Sequence, residues 1–141
     1  METVRQTGSG GAARVLIVED HPMIAELVET RLRIEGMRPT KSLGGREAIQ
    51  ILGERDFDLV ILDIMMPEVD GYEVLKFMRG QERTRDTPVI LLTAKSTQDD
   101  VEKGLGLGAD YYITKPFSGA ELVRKVKILL EQRRLGHSAQ V

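Results

Sequence analysis

Carboxylates directly follow two short apolar segments of the chain. Glu19 and Asp20 come after residues 15–18, and Asp63 comes after residues 59–62. Three carboxylates brought close together repel one another, so such a cluster calls for a cation. Oxygen ligands without His or Cys select a hard ion such as Mg²⁺ or Mn²⁺. These three residues are therefore candidate ligands of a divalent metal.

Two other polar residues follow apolar segments in the same way. Thr93 comes after residues 88–92, and Lys115 comes after residues 111–114. A lysine and a hydroxyl beside a cation suit an incoming phosphoryl group, because phosphoryl transfer depends mostly on positioning and on neutralising the phosphoryl oxygens. Asp63 is then the natural nucleophile, and an aspartyl phosphate would be its product.

Each of these residues also has a structural interpretation. Asp20 could cap the start of a helix, and Asp63 could cap a turn. Thr93 could supply a turn hydroxyl, and Lys115 could be an ordinary lysine before a proline. Their joint occurrence at the ends of four apolar segments favours the functional interpretation.

The apolar segments themselves are typical of strands that are buried on both faces. Unbroken aliphatic runs bounded by turn signals are the pattern of parallel sheets. Strands are predicted at residues 14–18, 37–41, 59–62, 88–92 and 111–114. Five strands alternating with five helices predict an α/β fold, a doubly wound parallel sheet with helices on both faces. The second strand belongs at the sheet edge, because Pro39 cannot donate to a ladder.

Glycine and proline mark the ends of the predicted helices. The first helix begins near Pro22, the second follows Gly45, and the third begins near Gly71. The fourth, at about residues 99–108, contains three glycines and is expected to be the softest. The fifth is long and ends near Arg134.

Length and composition restrict the class of protein. One domain is expected at residues 14–134, with a flexible arm at 1–13 and a frayed tail at 135–141. The 141 residues include no cysteine, which excludes disulfides and thiolate metal sites. A net charge of -2 gives no general attraction to nucleic acid. No apolar run approaches the ~18 residues that span a bilayer. A cytoplasmic protein without direct membrane or nucleic-acid contact is expected.

The sequence resembles a response-regulator receiver domain, the phosphoacceptor module of two-component signalling. The motifs that carry the resemblance are VLIVED (15–20), LDIMMPEVDG (62–71), LLTAK (91–95), GAD (108–110) and YITKPF (112–117). They cover about residues 14–134 and are specific as a set. The resemblance implies a flavodoxin-like receiver fold with the strand order 2-1-3-4-5.

The resemblance also implies roles for the residues around the metal. It makes Asp63 the phosphorylation site and a metal ligand. Asp20 and the backbone carbonyl of Met65 would bind Mg²⁺ directly, and Glu19 would act through a metal-bound water.

The remaining roles concern the phosphoryl group and the response to it. Thr93 and Lys115 would contact the phosphoryl oxygens, and the bond between Lys115 and Pro116 is expected to be cis. Tyr112 matches the switch aromatic, which turns inward when Thr93 moves toward the phosphate.

The implied function is a phosphorylation-activated switch. Asp63 would accept a phosphoryl group from a histidine kinase or phosphotransfer protein. The surface of helix 4, strand 5 and helix 5 would then change, and this change would control a downstream protein or an output domain, or support a homodimer. The chain would catalyse only its own phosphorylation and dephosphorylation. It is expected to be either a stand-alone regulator or the N-terminal receiver fragment of a DNA-binding transcriptional regulator.

Two positions that vary within the family flank the site. Met65 and Lys95 stand two residues after Asp63 and Thr93, and neither side chain can orient an attacking water. Met65 could also shield the acyl phosphate. We therefore hypothesise slow self-dephosphorylation.

The partner surface departs from a dimerising subfamily that the fourth-helix and Lys-Pro-Phe segments resemble. Of two acids in that subfamily only Asp110 is present, and Tyr111 replaces the second, so the basic residues of the last helix keep half of a charge-paired interface and dimerisation by the usual salt bridges is not expected. These basic residues are Arg124, Lys125 and Lys127. Gly106 is additional to the family pattern, and a short or mobile fourth helix is expected.

Two other classes of protein are considered. A haloacid-dehalogenase-like phosphatase also uses an Asp nucleophile and Mg²⁺, but it needs a second Asp where Met65 stands. A flavodoxin-like electron carrier needs a Ser/Thr/Gly phosphate loop after the first strand, where Glu19 and Asp20 bring the opposite charge.

Overall fold

The computed structural model describes residues 11–94 and 97–139, with side chains described as far as residue 135. This part contains one sheet of five parallel strands in the order β2-β1-β3-β4-β5. The strands are β1 (Arg14–Val18), β2 (Arg38–Ser42), β3 (Leu59–Leu62), β4 (Val89–Thr93) and β5 (Tyr111–Thr114). The α/β class and the strand order are confirmed, and β2 lies at the edge. Most of the predicted N-terminal arm, residues 1–10, lies outside the described residues.

The central strands are buried on both faces because their side chains alternate between two cores. Leu16 and Val18 of β1 belong to one core, and Val15 and Ile17 belong to the other. All four are fully buried. An unbroken apolar run is what such a strand requires. Each run ends at the carboxyl edge of the sheet, where the candidate residues follow.

Helices cover both faces of the sheet. They are α1 (Pro22–Ile34), α2 (Gly45–Glu54), α3 (Gly71–Gly80), α4 (Gln98–Gly106) and α5 (Gly119–Ala139). Apolar residues of α1 and α5 fill one core, and those of α2 and α3 fill the other. α4 packs beside β5. None of the helices in the described ranges has the length and apolar character needed to cross a bilayer.

Several boundaries differ from the sequence prediction. α4 ends at Gly106, before the predicted residue 108, because Gly108 adopts a φ of 105° and turns the chain. The tail predicted to fray from residue 135 is helical as far as Ala139. Arg133 ties α5 to the sheet by donating to two main-chain carbonyls just before β3. β2 and β4 are each shifted by one residue.

A partly buried arginine at the end of α3 joins two loops. Arg79 Nη1 donates to the carbonyls of residues 84, 85 and 87 at 3.3, 3.0 and 2.7 Å. Its Nε and Nη2 donate to the Gly108 carbonyl at 3.1 and 2.7 Å. The guanidinium offers five donors in a rigid plane, so one side chain fixes both the α3–β4 loop and the α4–β5 loop.

Gly106→Ala is expected to slow amide hydrogen exchange in α4. In the parent, amide exchange in α4 should be faster than in β1 and β3, because Gly104 is the one buried residue of this helix. No described atom lies within 4 Å of a Cβ built at Gly106, so alanine should stabilise α4 by about 0.5–1 kcal/mol. Gly104→Ala is the control of opposite sign, since its Cβ would lie 2.5 Å from Leu91 Cδ1. Exchange in parental α4 as slow as in β1 would contradict this expectation.

Candidate functional site

The carboxyl ends of β1, β3, β4 and β5 meet at one edge of the sheet. Val18 is paired with Leu62 in the β1–β3 register. The Asp63 N–H donates to the Val18 carbonyl at 2.9 Å, and the Lys115 N–H donates to the Thr93 carbonyl at 2.8 Å. Ladder hydrogen bonds therefore bring the ends of these strands together, as the order of the apolar runs predicted.

Three carboxylates gather at this edge. Glu19, Asp20 and Asp63 each offer one oxygen, and these oxygens all lie within 4.8 Å of one another. Glu19 is 1% exposed and Asp63 is 3% exposed, while Asp20 is half-buried. An all-oxygen cluster of this size with one partly open side suits a hard divalent cation that keeps several waters. The residues present therefore fit Mg²⁺ or Mn²⁺.

Lys115 provides a positive charge beside the cluster. Its Nζ lies 2.8 Å from Glu19 Oε1 and 3.5 Å from Asp63 Oδ2. The side chain is only 18% exposed, so these attractions are weakly screened. The peptide bond between Lys115 and Pro116 is cis. One ammonium against three carboxylates leaves the cluster with excess negative charge.

The pKa of Asp63 reflects this environment. Burial and the adjacent Glu19 carboxylate raise the pKa of Asp63 to about 7, although Lys115 and the Met65 N–H oppose the rise. The Met65 N–H donates to Asp63 Oδ1 at 3.4 Å. Ionised Asp63 is therefore costly in the folded chain until a further cation arrives.

Asp63→Asn is expected to stabilise the fold at pH 8 in the presence of a chelator, by about 1–3 kcal/mol. Unfolded Asp63 ionises near its ordinary pKa of about 3.9, whereas folded Asp63 ionises near pH 7. The folded parent holds the proton longer, so it loses stability as the pH rises from about 4 to about 7. Asn lacks this loss. Its advantage should thus be absent near pH 4, grow up to pH 7 and then stay level.

Urea denaturation across this pH range measures the effect. Asp56→Asn is the matched control, because that carboxylate is 77% exposed and its ion pair with Arg83 should contribute little to stability. Equal stability of parent and Asp63→Asn at pH 8 would show that Asp63 is not strained by its neighbours.

Thr93 and Tyr112 lie deeper in the same region. Thr93 is fully buried at the end of β4. The Tyr112 hydroxyl is buried and has no hydrogen-bond partner within the described ranges. Burial, Tyr72 and Asp100 raise the pKa of Tyr112 to about 12, so this hydroxyl stays protonated at neutral pH. The Tyr112 ring lies beneath α4, 3.5 Å from the position of a Cβ at Gly104.

Tyr72 is a neighbour of Tyr112 that sequence patterns did not single out. It is 5% exposed, and its hydroxyl donates to the Asp100 carbonyl at 3.5 Å. Lys103 Nζ lies 4.3 Å from the centre of its ring, a cation–π contact. Tyr72 therefore connects α3 to α4. Its one sequence signal is an aromatic residue directly after Gly71.

Of the two variable positions beside the site, Met65 lies within the described residues and Lys95 does not. The main chain of Met65 lies at the site, next to Asp63, while its side chain is 55% exposed. Lys95 lies outside the described residues. The hypothesis of slow dephosphorylation can therefore be compared with the structure at Met65 but not at Lys95.

Fold and site together define a doubly wound α/β domain whose sheet edge carries a cluster of three acids beside a lysine, and this cluster could hold a cation. The chain belongs to the response regulator receiver domain family, whose model matches residues 15–127. It is thus a receiver domain of two-component signalling.

Several known proteins are similar to this chain. Response regulator SaeR of Staphylococcus aureus is 42% identical over 127 residues, which cover 90% of this chain and 54% of SaeR. The receiver domain of the Francisella response regulator 1452 is 36% identical with a TM-score of 0.81, covering 86% of this chain and 98% of that one. The receiver domain of sensor histidine kinase PA1611 from Pseudomonas aeruginosa is 34% identical with a TM-score of 0.79, covering 86% of this chain and 99% of that one. That structure has a magnesium ion coordinated in its active-site cleft.

The match to SaeR is unequal in length. This chain spans about half of the curated relative, while it covers nearly all of the solved receiver domains. The family assignment therefore applies to the receiver domain in this chain and not to the full length of SaeR.

Proposed function

We propose that Asp63 accepts a phosphoryl group from a histidine kinase or phosphotransfer protein. The observation that carries the proposal is a buried carboxylate that shares its pocket with two other acids and one lysine. An Asp63 oxygen would attack phosphorus, the bond from phosphorus to the donor nitrogen would break, and the donor imidazole would keep that electron pair. The product is an acyl phosphate on Asp63.

A divalent cation would be held by the same cluster. Asp20, Asp63 and the backbone carbonyl of Met65 would bind it directly, and Glu19 would act through a water. When bound, Mg²⁺ or Mn²⁺ neutralises charge on the carboxylates and on the phosphoryl oxygens. The magnesium ion in the active-site cleft of the PA1611 receiver domain supports a cation at this site.

Two side chains would receive the phosphoryl oxygens. Lys115 already faces Asp63 at 3.5 Å, so its ammonium can neutralise one phosphoryl oxygen with little movement. The Thr93 hydroxyl would donate to another. These two contacts would favour the phosphorylated arrangement over the free one.

The readout would involve the surface formed by α4, β5 and α5. Thr93 moving toward the phosphate would leave space for Tyr112, and the contacts of α4 would change. A downstream protein or an output domain would bind the altered surface. A stand-alone regulator and the receiver portion of a DNA-binding regulator both remain candidate forms, and a cytoplasmic location stays a prediction.

Contacts on this surface bear on the homodimer. Lys125 Nζ lies 4.2 Å from the centre of the Tyr111 ring, and Lys127 Nζ lies 2.7 Å from Glu35 Oε1. Of Arg124, Lys125 and Lys127, the last two thus have contacts within the chain. This arrangement favours a different partner over a dimer joined by salt bridges.

Phosphorylation should require a divalent cation. The test is intact-mass detection of one added phosphoryl group after incubation with acetyl phosphate, with Mg²⁺ or with chelator. The phosphoryl group is expected to be added in the sample with Mg²⁺ and not in the sample with chelator. The chain would catalyse only this reaction on itself and its reversal by hydrolysis, so multiple turnover of a phosphate ester would contradict the proposal and favour a phosphatase.

The phosphorylated state is expected to last for minutes or longer at neutral pH. Met65 cannot orient a water, and its exposed side chain could shield an acyl phosphate on Asp63. Met65→Asn supplies a carboxamide and should shorten the half-life by about tenfold or more. Decay of the label after removal of the donor measures this, with Leu43→Asn, another exposed apolar residue, as the control. Loss of the parental label within seconds would contradict slow dephosphorylation.

A further inference from the structure

The loop of residues 64–71, here called the phosphoacceptor loop, carries Met65 beside Asp63. Its base is closed by the Gly71 N–H, which donates to the Ile64 carbonyl at 2.9 Å. A Cβ at Gly71 would clash with the Asp63 carbonyl oxygen and lie 2.7 Å from Ile64 Cα. The base of the loop therefore rests directly on the main chain of Asp63.

The side of the phosphoacceptor loop rests on the first residue of α2. A Cβ built on Gly45 would clash with the Val69 carbonyl oxygen and lie 2.8 Å from Val69 Cγ1. Gly45 has no left-handed φ, so it is the space and not the backbone conformation that requires glycine. Gly44, which precedes Gly45, and Gly53, which lies later in α2, differ from it: a Cβ built on either has no described atom within 4 Å.

The start of α2 has little freedom to move away from the loop. Ser42 Oγ donates to the Gly44 carbonyl at 2.8 Å and to Glu47 Oε1 at 3.2 Å. Ala48 and Leu52 anchor the next two turns in the core. A side chain at the first position of α2 would therefore displace the loop, which is held at that side by this contact, by the packing of Val69 on the core, and by a weak exposed ion pair between residues 46 and 68 at 3.9 Å.

We infer that Gly45 is a positioning residue for the phosphoacceptor site. Its missing side chain sets how closely the phosphoacceptor loop approaches α2, and so where the Met65 main chain stands relative to Asp63. Gly45 touches neither the cation nor the phosphoryl group. The inference rests on the proposed function, because the Met65 carbonyl matters only if Asp63 works with a cation.

Gly45→Ala tests the inference against Gly53→Ala, which adds the same methyl group to the same helix in open space. Mg²⁺ binding is measured by calorimetry on the full chain. Gly45→Ala is expected to weaken binding by about fivefold or more, as for other residues that support metal ligands. Gly53→Ala should bind as the parent does. The Met65 amide resonance should shift in Gly45→Ala and not in Gly53→Ala.

Loss of stability is separated from loss of position by two further variants. Leu52→Val destabilises α2 at its far end and should leave the Mg²⁺ dissociation constant unchanged. Val69→Ala removes the Cγ1 atom that faces Gly45, so it loosens the loop without a clash and should weaken binding by about twofold or more. This variant decides the matter if Gly45→Ala does not fold.

Each outcome has a defined meaning. Parent-like Mg²⁺ binding in Gly45→Ala, or in Val69→Ala where it stands alone, overturns the inference and leaves the proposed function intact. Affinity that follows stability in every variant, Leu52→Val included, also overturns it. A parent that neither binds Mg²⁺ nor takes up label overturns the inference together with the proposed function.

Discussion

Asp63→Asn is expected to abolish phosphorylation of the chain by acetyl phosphate and Mg²⁺. An amide is not a nucleophile at neutral pH, and in the proposed function the other two acids of the cluster serve to hold the cation. Glu19 faces Lys115 at 2.8 Å, and Asp20 is a candidate metal ligand. Removing a nucleophile typically costs at least about 10³-fold in rate, which would put the label below detection.

This result would have a clear interpretation because Asp63→Asn, which is expected to be more stable than the cation-free parent, should stay folded in the labelling assay. Loss of label could then not be ascribed to unfolding. Asp56→Asn, an exposed acid on the same chain, should label like the parent. Asp20→Asn should still label, but at a higher Mg²⁺ concentration. Equal labelling of the parent and Asp63→Asn would end the assignment of Asp63 as phosphoacceptor.

Lys115→Met should have the second largest effect, on both stability and labelling. It leaves two buried carboxylates without their ammonium, which should lower the free energy of unfolding at pH 8 by about 2–3 kcal/mol. The loss should be smaller at pH 5.5, because Asp63 is then largely protonated, its pKa being about 7. Mg²⁺ should restore part of the stability. Labelling should fall about 100-fold, since a donor to the phosphoryl oxygens is lost.

The control for Lys115→Met is Lys127→Met. Lys127 also pairs with a carboxylate, Glu35 at 2.7 Å, but its side chain is 57% exposed. Exposed pairs contribute little, so this variant should stay close to the parent in stability and in labelling. Urea denaturation with and without Mg²⁺, together with initial labelling rates, separates the two lysines. Labelling of Lys115→Met at the parental rate would remove Lys115 from the site.

The polar residues at the strand ends were predictable because apolar runs mark where a buried strand stops. Glu19, Asp63, Thr93 and Lys115 each follow such a run, and parallel strands must present their carboxyl ends at the same edge. The edge position of β2 followed in the same way from Pro39. Local sequence is sufficient here because each signal lies within a few residues of the feature that it predicts.

The supporting contacts were not predictable because they join residues that are distant in sequence. Tyr72 meets Asp100 across 28 positions, and Gly45 meets Val69 through a close approach that no local pattern reveals. The helix ends were also missed where distant contacts decide them. α5 continues past Arg134, since Arg133 is fixed to main-chain carbonyls before β3.

The Arg79 contacts restrict how this domain can diverge. Nearly all of the atoms that the guanidinium binds are main-chain oxygens, at residues 84, 85, 87 and 108. Any amino acid supplies such an oxygen, so Arg79 itself places no demand on the side chains of the α3–β4 loop, although Thr84 is held there by its own buried hydrogen bond to the Met78 carbonyl. An insertion or deletion would move the carbonyls away from the five donors. Related chains that keep this arginine should therefore vary in the composition of that loop but not in its length.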